Sequence, residues 1–108
     1  MKMIKAIVRP EKAEDVLDAL LLNGFAAASK MSILGRGKQK GLKVGDIYYD
    51  EIPKVMLMLV IDDEDEEKVV KIIVDAAKAD KKGSYGDGKI FISEVDRSVT
   101  ISSGKDEL

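Results

Sequence analysis

Residues 35–41 read Gly-Arg-Gly-Lys-Gln-Lys-Gly, and that spacing suits the wall of an anion site. Glycine allows positive φ and lets a ligand approach main-chain N–H groups. Successive N–H groups in such turns form a concave anion site. Lysine and arginine add attraction for phosphate or carboxylate. From Lys30 to Lys43 there are five cations and no acid. A second glycine loop with a cation, Gly83-Ser84-Tyr85-Gly86-Asp87-Gly88-Lys89, lies later in the chain. Neither common phosphate motif is met. A P-loop needs Lys-Ser/Thr after its last glycine, and Lys40-Gly41-Leu42 stands here. A dinucleotide fingerprint needs its third glycine one residue before Gly41. The same spacing also suits a plain basic hairpin tip.

Composition narrows the chemistry. The 108 residues contain no cysteine and no histidine. Disulfides, thiolate catalysis, Cys/His zinc sites and a Ser-His-Asp relay are therefore excluded. A net charge of −2 gives no strong global field. No apolar run reaches the ~18 residues of a membrane helix, so no membrane insertion is expected. The N-terminus enters a strand pattern directly, without a signal-peptide pattern. The ending Lys105-Asp106-Glu107-Leu108 spells a retention address. It is read as a charged, frayed tail over about 103–108.

The elements that must position the two loops follow from periodicity. Residues 2–9 alternate as a strand, with Ile4, Ala6 and Val8 on one face. Pro10 opens a helix whose stripe is Val16, Leu17, Leu20 and Leu21, closed by Asn23-Gly24. Residues 25–34 form a second strand leading into the first glycine loop. Residues 42–52 read as a mobile loop with strand-like ends. Residues 54–61 are apolar throughout, as expected of a central strand covered on both faces or at a subunit contact. Six acids, Asp62 to Glu67, suit a helix start with Asp62 or Asp63 as cap, in preference to a cation cluster. That helix buries Val69, Val70, Ile72, Ile73, Ala76 and Ala77 and ends in Lys78, Lys81, Lys82 and Gly83. Ile90 to Val95 and a short segment with Val99 and Ile101 complete the strands. The order is that of a single α+β domain, residues 1–108, with the ferredoxin-like βαββαβ sandwich: an antiparallel sheet with two helices on one face.

Four stretches together resemble the PII signal-transduction family over nearly the whole chain. They are Arg9-Pro10, the GRGKQKG run from Gly35, Ile52-Pro53-Lys54-Val55, and Gly86-Asp87-Gly88-Lys89-Ile90-Phe91. The resemblance implies a cytoplasmic homotrimer that binds ATP or ADP in clefts between subunits. With Mg-ATP bound, 2-oxoglutarate enters, and a long loop (here about 37–53) changes shape to select a target. It implies nucleotide contacts at Ile7, Ser29, Gly35, Arg36, Gly37, Lys38, Val60, Gly86, Asp87, Gly88 and Lys89. It places 2-oxoglutarate against Arg9, Gly37, Gln39, Lys40, Gly41 and Lys54, with Gln39 completing Mg²⁺ coordination. The partner loop would be Leu42, Lys43, Val44, Gly45, Asp46, Ile47, Tyr48, Tyr49, Asp50 and Glu51.

Within the family, the Gly35-Arg36-Gly37-Lys38 spelling and the loop ending Tyr48-Tyr49-Asp50-Glu51-Ile52-Pro53 look like one branch. This is the first paralogue of the nitrogen-fixation-linked proteins of archaea and some anaerobic bacteria. The resemblance then implies control of the dinitrogenase component and assembly alone or with a second paralogue. The alternative is a sensor acting on an ammonium transporter or a nitrogen-assimilation enzyme. Three departures matter. The loop is shorter than in assimilation members, with no tyrosine in register for nucleotidylation, so neither uridylylation nor adenylylation is expected. Thr100 and Ser102 replace two arginines that hold phosphates, a loss able to weaken ATP by about two orders of magnitude. Met58 replaces an acid near the adenine pocket. No nucleophile–base pair points to an enzyme. Five aromatics (three Tyr, two Phe) and a negative charge speak against an RNA-binding module, so no nucleic-acid partner is expected.

Overall fold

A computed structural model describes residues 1–36, 42–44, 47–49 and 51–108. Strand β1 spans Lys2–Val8, β2 Ser29–Gly35, β3 Leu42–Val44, β4 Ile47–Tyr49, β5 Ile52–Ile61 and β6 Gly88–Glu94. Helix α1 spans Ala13–Leu22 and α2 Glu66–Ala77, each entered through a short 3₁₀ turn, at Pro10–Lys12 and Asp63–Asp65. The main sheet has the order β2-β5-β1-β6, with every pair antiparallel. β3 and β4 form a separate antiparallel pair, Leu42 opposite Tyr49. The α+β, ferredoxin-like reading holds: β1 and β5 are central, and α1 and α2 pack against each other.

Alternation decides the two faces of the sheet. Ile4, Ala6 and Val8 on β1 and Val55, Leu57, Leu59 and Ile61 on β5 are buried. Val16 and Leu20 of α1 and Val69, Ile73 and Ala77 of α2 close over them. Ile73 is 1% exposed. Its shortening to valine is expected to lower stability by about 0.5–1.5 kcal/mol. An unchanged denaturant midpoint for Ile73→Val would contradict this packing.

The opposite face carries Met3, Lys5 and Ile7 on β1, Met56, Met58 and Val60 on β5, Met31 on β2 and Phe91 on β6. β5 is thus covered on one face only, and its other face is half-buried. Met31 and Phe91 are each 50% exposed. Of the two expectations for this apolar run, burial on both faces within the chain is ruled out.

Local detail departs from the periodicity in four places. Residues 25–28 are not strand, because Phe25 N–H turns back to Leu20 O at 2.8 Å and Gly24 N–H to Leu21 O at 3.1 Å. This αL closure at Gly24 (φ +91°) leaves Phe25 packed against the core. At the start of α2 neither Asp62 nor Asp63 caps the helix with its side chain. The Asp63 carboxylate instead meets the Met1 ammonium at 2.9 Å. That pair lowers the carboxyl and raises the ammonium from their ordinary values. Helix α2 ends at Ala77, and Lys78 is already extended, so Lys81, Lys82 and Gly83 belong to the following turn. Finally, the expected last strand is a hairpin turn with one bridge, Val99 to Asp106. Arg97 binds Asp106 at 2.6 Å, and Glu107 N–H reaches Ser98 O at 3.0 Å. Residues 103–107 therefore belong to this turn.

Candidate functional site

Two strands deliver two cations, Arg9 and Lys54, to one corner of the molecule, and a third cation stands at the start of β6. Lys54 stands near the start of β5, Arg9 directly follows β1, and Lys89 is the second residue of β6. Ile7 pairs with Lys89 and with Met56 across the sheet. The loop between α2 and β6 folds over this corner and is held there by Arg9 and Lys54. Arg9 Nη2 donates to Tyr85 O at 2.8 Å, and Lys54 Nζ donates to Gly86 O at 2.6 Å. Arg9 Nε donates to Asp87 Oδ1 at 3.1 Å.

Gly83, Gly86 and Gly88 of this loop all have positive φ, and at the last two a side chain would also meet close neighbours. Gly86 has φ +89°, and a Cβ there would lie 3.4 Å from Arg9 Nη2 and 3.9 Å from Lys54 Nζ. A side chain would strain the turn and crowd both cations. Gly88 has φ +126°, and its Cβ would lie 1.9 Å from the Ile7 carbonyl oxygen. β6 can approach β1 here only without a side chain.

Asp87 is the keystone of the loop. Its carboxylate accepts Ser84 N–H at 2.6 Å, Arg9 Nε–H at 3.1 Å and Ala79 N–H at 3.2 Å. The Ser84 N–H does most to hold the carboxyl below the usual carboxylate range. Arg9 and Ala79 add to that effect, and burial opposes it. Its own N–H bonds to Ser84 O at 3.1 Å. Both polar ends of Asp87 are therefore occupied, by Arg9 and by the main chain of Ala79 and Ser84.

The corner can hold an anion. A guanidinium carries five N–H donors and an ammonium three. Arg9 and Lys54 each keep donors beyond those bound to the loop. Charge-assisted bonds to carboxylate or phosphate are the strong ones. Gly35 lies beside Lys54, its Cβ position 3.6 Å from Lys54 Cγ, which brings the root of the first glycine loop to the same corner. Arg36 is exposed just beyond it. Lys30, one of the five cations of that stretch, is taken by Glu14 on α1 at 2.6 Å.

The remaining expected positions divide into two groups. Ser29 and Val60 lie on the open sheet face, Ser29 opposite Met58. Along β5, Met58 and Val60 are about 13 Å and 20 Å from Lys54. One chain therefore does not bring Ser29 or Val60 to the cations. Gly37, Lys38, Gln39, Lys40, Gly41, Gly45, Asp46 and Asp50 lie outside the described residues. Of the partner-loop positions, Leu42, Lys43, Val44, Ile47, Tyr48 and Tyr49 form the β3–β4 pair, and Glu51 is exposed.

Sequence reasoning placed Ser84 and Tyr85 in the second loop but missed Ala79 and the main-chain bonds by which all three act. An Asp between two glycines is a turn signal, and it was the available pointer to Asp87's structural work. A cavity of about 670 Å³ lies between the apolar face of α2, at Val70 and Ile73, and four of the expected nucleotide positions, Ile7, Asp87, Gly88 and Lys89. Arg9 and Lys54 do not line it. Among the described residues no group of three or more acidic, His or Cys side chains is placed to hold a metal. Among them, too, no helix is long and apolar enough to cross a membrane.

Comparison with known proteins bears on this corner. The family described as nitrogen regulatory protein P-II matches residues 1–105. A protein of Methanococcus maripaludis named "Nitrogen fixation nifHD region glnB-like protein 1" is 55% identical over 101 residues, covering 94% of this chain and 93% of its own. The protein so named from Methanothermobacter marburgensis is 51% identical over 108 residues, the whole of both chains. "Nitrogen regulatory protein P-II 1" of Methanothermobacter thermautotrophicus is 41% identical over 109 residues, 97% of this chain and 92% of its own.

Proposed function

The chain belongs to the P-II family of nitrogen regulatory proteins, close to its nitrogen-fixation-linked members, and from that premise we propose that it is a 2-oxoglutarate sensor acting on nitrogenase. The family is regulatory and not enzymatic. The observation that carries the proposal is the convergence of Arg9 and Lys54 on one glycine loop, which Lys89 follows at the start of β6. ATP or ADP binds with its phosphates at Gly86–Lys89 and at the Gly35–Lys38 segment. 2-Oxoglutarate binds beside it, its distal carboxylate on Lys54 and its other end near Arg9.

Mg²⁺ would be held by the Gln39 side chain together with oxygens of the ligands and would offset their negative charge. The acid-poor corner fits this use, since the ligands' own oxygens and the Gln39 amide would supply the donors. The half-exposed apolar sheet face supports a trimer. Packing three such faces together would also bring Ser29 and Val60 of one subunit towards a neighbour's cations. Thr100 and Ser102 stand where phosphate-binding arginines are usual, which favours a mixed assembly with a second paralogue that supplies them. The setting is cytoplasmic.

Signalling is a population shift. Mg-ATP with 2-oxoglutarate favours one shape of residues 37–53, and the dinitrogenase component binds the other. Linkage then requires the target to weaken 2-oxoglutarate binding by the same factor as the reverse. Calorimetric titration of 2-oxoglutarate with and without Mg-ATP tests the reading. Binding is expected only with Mg-ATP. If ATP binds and 2-oxoglutarate does not, the effector is wrong. Equal 2-oxoglutarate affinity with and without dinitrogenase removes the proposed target mechanism.

A further inference from the structure

We propose that Asp87 is a positioning residue for Arg9. It fixes the guanidinium in the orientation that presents its free N–H groups to an anion. Arg9 follows the last residue of β1 and has no strand partner of its own. Its aim is set by two bonds, Nε to Asp87 and Nη2 to the Tyr85 carbonyl. Asp87 is in turn immobilised by Ser84 N–H on Oδ2 and Ala79 N–H on Oδ1. One carboxylate therefore ties β1, the turn after α2 and the glycine loop together. The side chains of Arg9 and Asp87 are 27% and 17% exposed, so water competes only partly for these bonds.

The pair also couples two ligand subsites. Whatever pulls on the main chain of residues 85–87 moves Arg9, because both of its bonds end on that segment. Phosphate at the loop would thus set Arg9 for a carboxylate at the neighbouring position. This consequence rests on the effector reading above; the Asp87–Arg9 role itself does not.

Asn is not a silent replacement. Ser84 N–H and the Arg9–Ala79 pair sit on different carboxylate oxygens, and an amide has only one oxygen acceptor. In Asp87→Asn a donor must face a donor. The experiment follows the Arg9 Nε–H signal by nitrogen-resolved NMR in the wild type, Asp87→Asn and Asp80→Asn. Asp80 is the control, because it accepts Lys82 N–H and the Ser84 hydroxyl in the same turn and bonds to neither Arg9 nor Asp87. The wild-type and Asp80→Asn signals are expected to be dispersed and protected from exchange. In Asp87→Asn the signal collapses to the free-arginine position, and 2-oxoglutarate affinity with Mg-ATP falls roughly tenfold.

If Asp87→Asn does not fold, the wild type is titrated with acid. Around Asp87 stand Arg9 from β1, Asp80 and Lys82 in the turn, Lys78 whose Cε nears Gly83, and Lys54 bound to Gly86. The Arg9 signal is then expected to move as the Asp87 carboxyl protonates, at a pH below the usual carboxylate range. An Arg9 signal unchanged in folded Asp87→Asn, or unmoved through that protonation, overturns the proposal. A wild type that binds no 2-oxoglutarate with Mg-ATP overturns the effector reading, and the Arg9 signal still decides the role of Asp87.

Discussion

Replacing Gly88 with alanine is expected to destabilise the protein by about 3 kcal/mol or more. Two costs combine at this position. The backbone has φ +126°, where L side chains are strained. The added methyl would lie 1.9 Å from Ile7 O, 2.9 Å from Ile7 C and 3.2 Å from Val8 Cα. All three are main-chain atoms of the central strand β1, which packs against the core and cannot yield. β6 must therefore peel away from β1 at its first pair, Val8–Gly88. Gly24→Ala separates the two costs. Gly24 has φ +91° and nothing within 4 Å of its Cβ position, so only the conformational part, about 1–2 kcal/mol, applies. Denaturant melts of the two variants give the comparison. A Gly88→Ala loss no larger than that of Gly24→Ala would show that the strand contact is softer than its geometry implies.

Lys54→Met is expected to lower 2-oxoglutarate affinity roughly ten- to a hundredfold while leaving ATP within a few-fold. Methionine keeps the apolar stem beside Gly35 and removes the ammonium. The lost bond to Gly86 O is exposed, so water replaces it at small cost to the fold. What changes is the charge available to a distal carboxylate. Parallel titrations of ATP and of 2-oxoglutarate with Mg-ATP give the two affinities. Unchanged 2-oxoglutarate binding would place its carboxylate elsewhere. Equal losses for both ligands would mean that Lys54 acts by holding the glycine loop rather than by meeting the effector.

These two residues show how far local pattern reaches. Gly88 stood out in the sequence as part of a glycine–cation loop, for the sake of a ligand. In the fold it is required first by the carbonyl of Ile7, eighty-one positions earlier by number, where two strands meet. Lys54 stood out in the sequence through the resemblance carried by Ile52-Pro53-Lys54-Val55, which implies a contact with 2-oxoglutarate. Only strand pairing places it beside Gly35, and only the fold of the late loop places it on Gly86.

Several elements were legible from period alone. β1 and β5 bury the alternate residues that their period selects, and α1 and α2 bury Val16 and Leu20 and Val69, Ile73 and Ala77, whereas Leu21 of the expected α1 stripe is exposed and β6 offers the core only the partly buried Ile90. Gly24 closes α1 by a mechanism that its residue type implies. The ends of elements were less legible, because competing partners decide them. Asp63 turns to the Met1 ammonium and not to a helix N–H, and Arg97 with Asp106 closes a turn where alternation suggested a strand.

By itself, then, the sequence determined the layers, the order of strands and helices, the apolar core and the two stretches able to meet an anion. These follow from residue type and spacing along a few turns of chain. Tertiary structure alone decided that Arg9, Lys54 and Asp87 meet, and that Asp87 turns its carboxylate inward. It also left a methionine-rich face of the sheet uncovered. Such pairings depend on register between strands that are remote in the chain, and neither composition nor local periodicity carries that register.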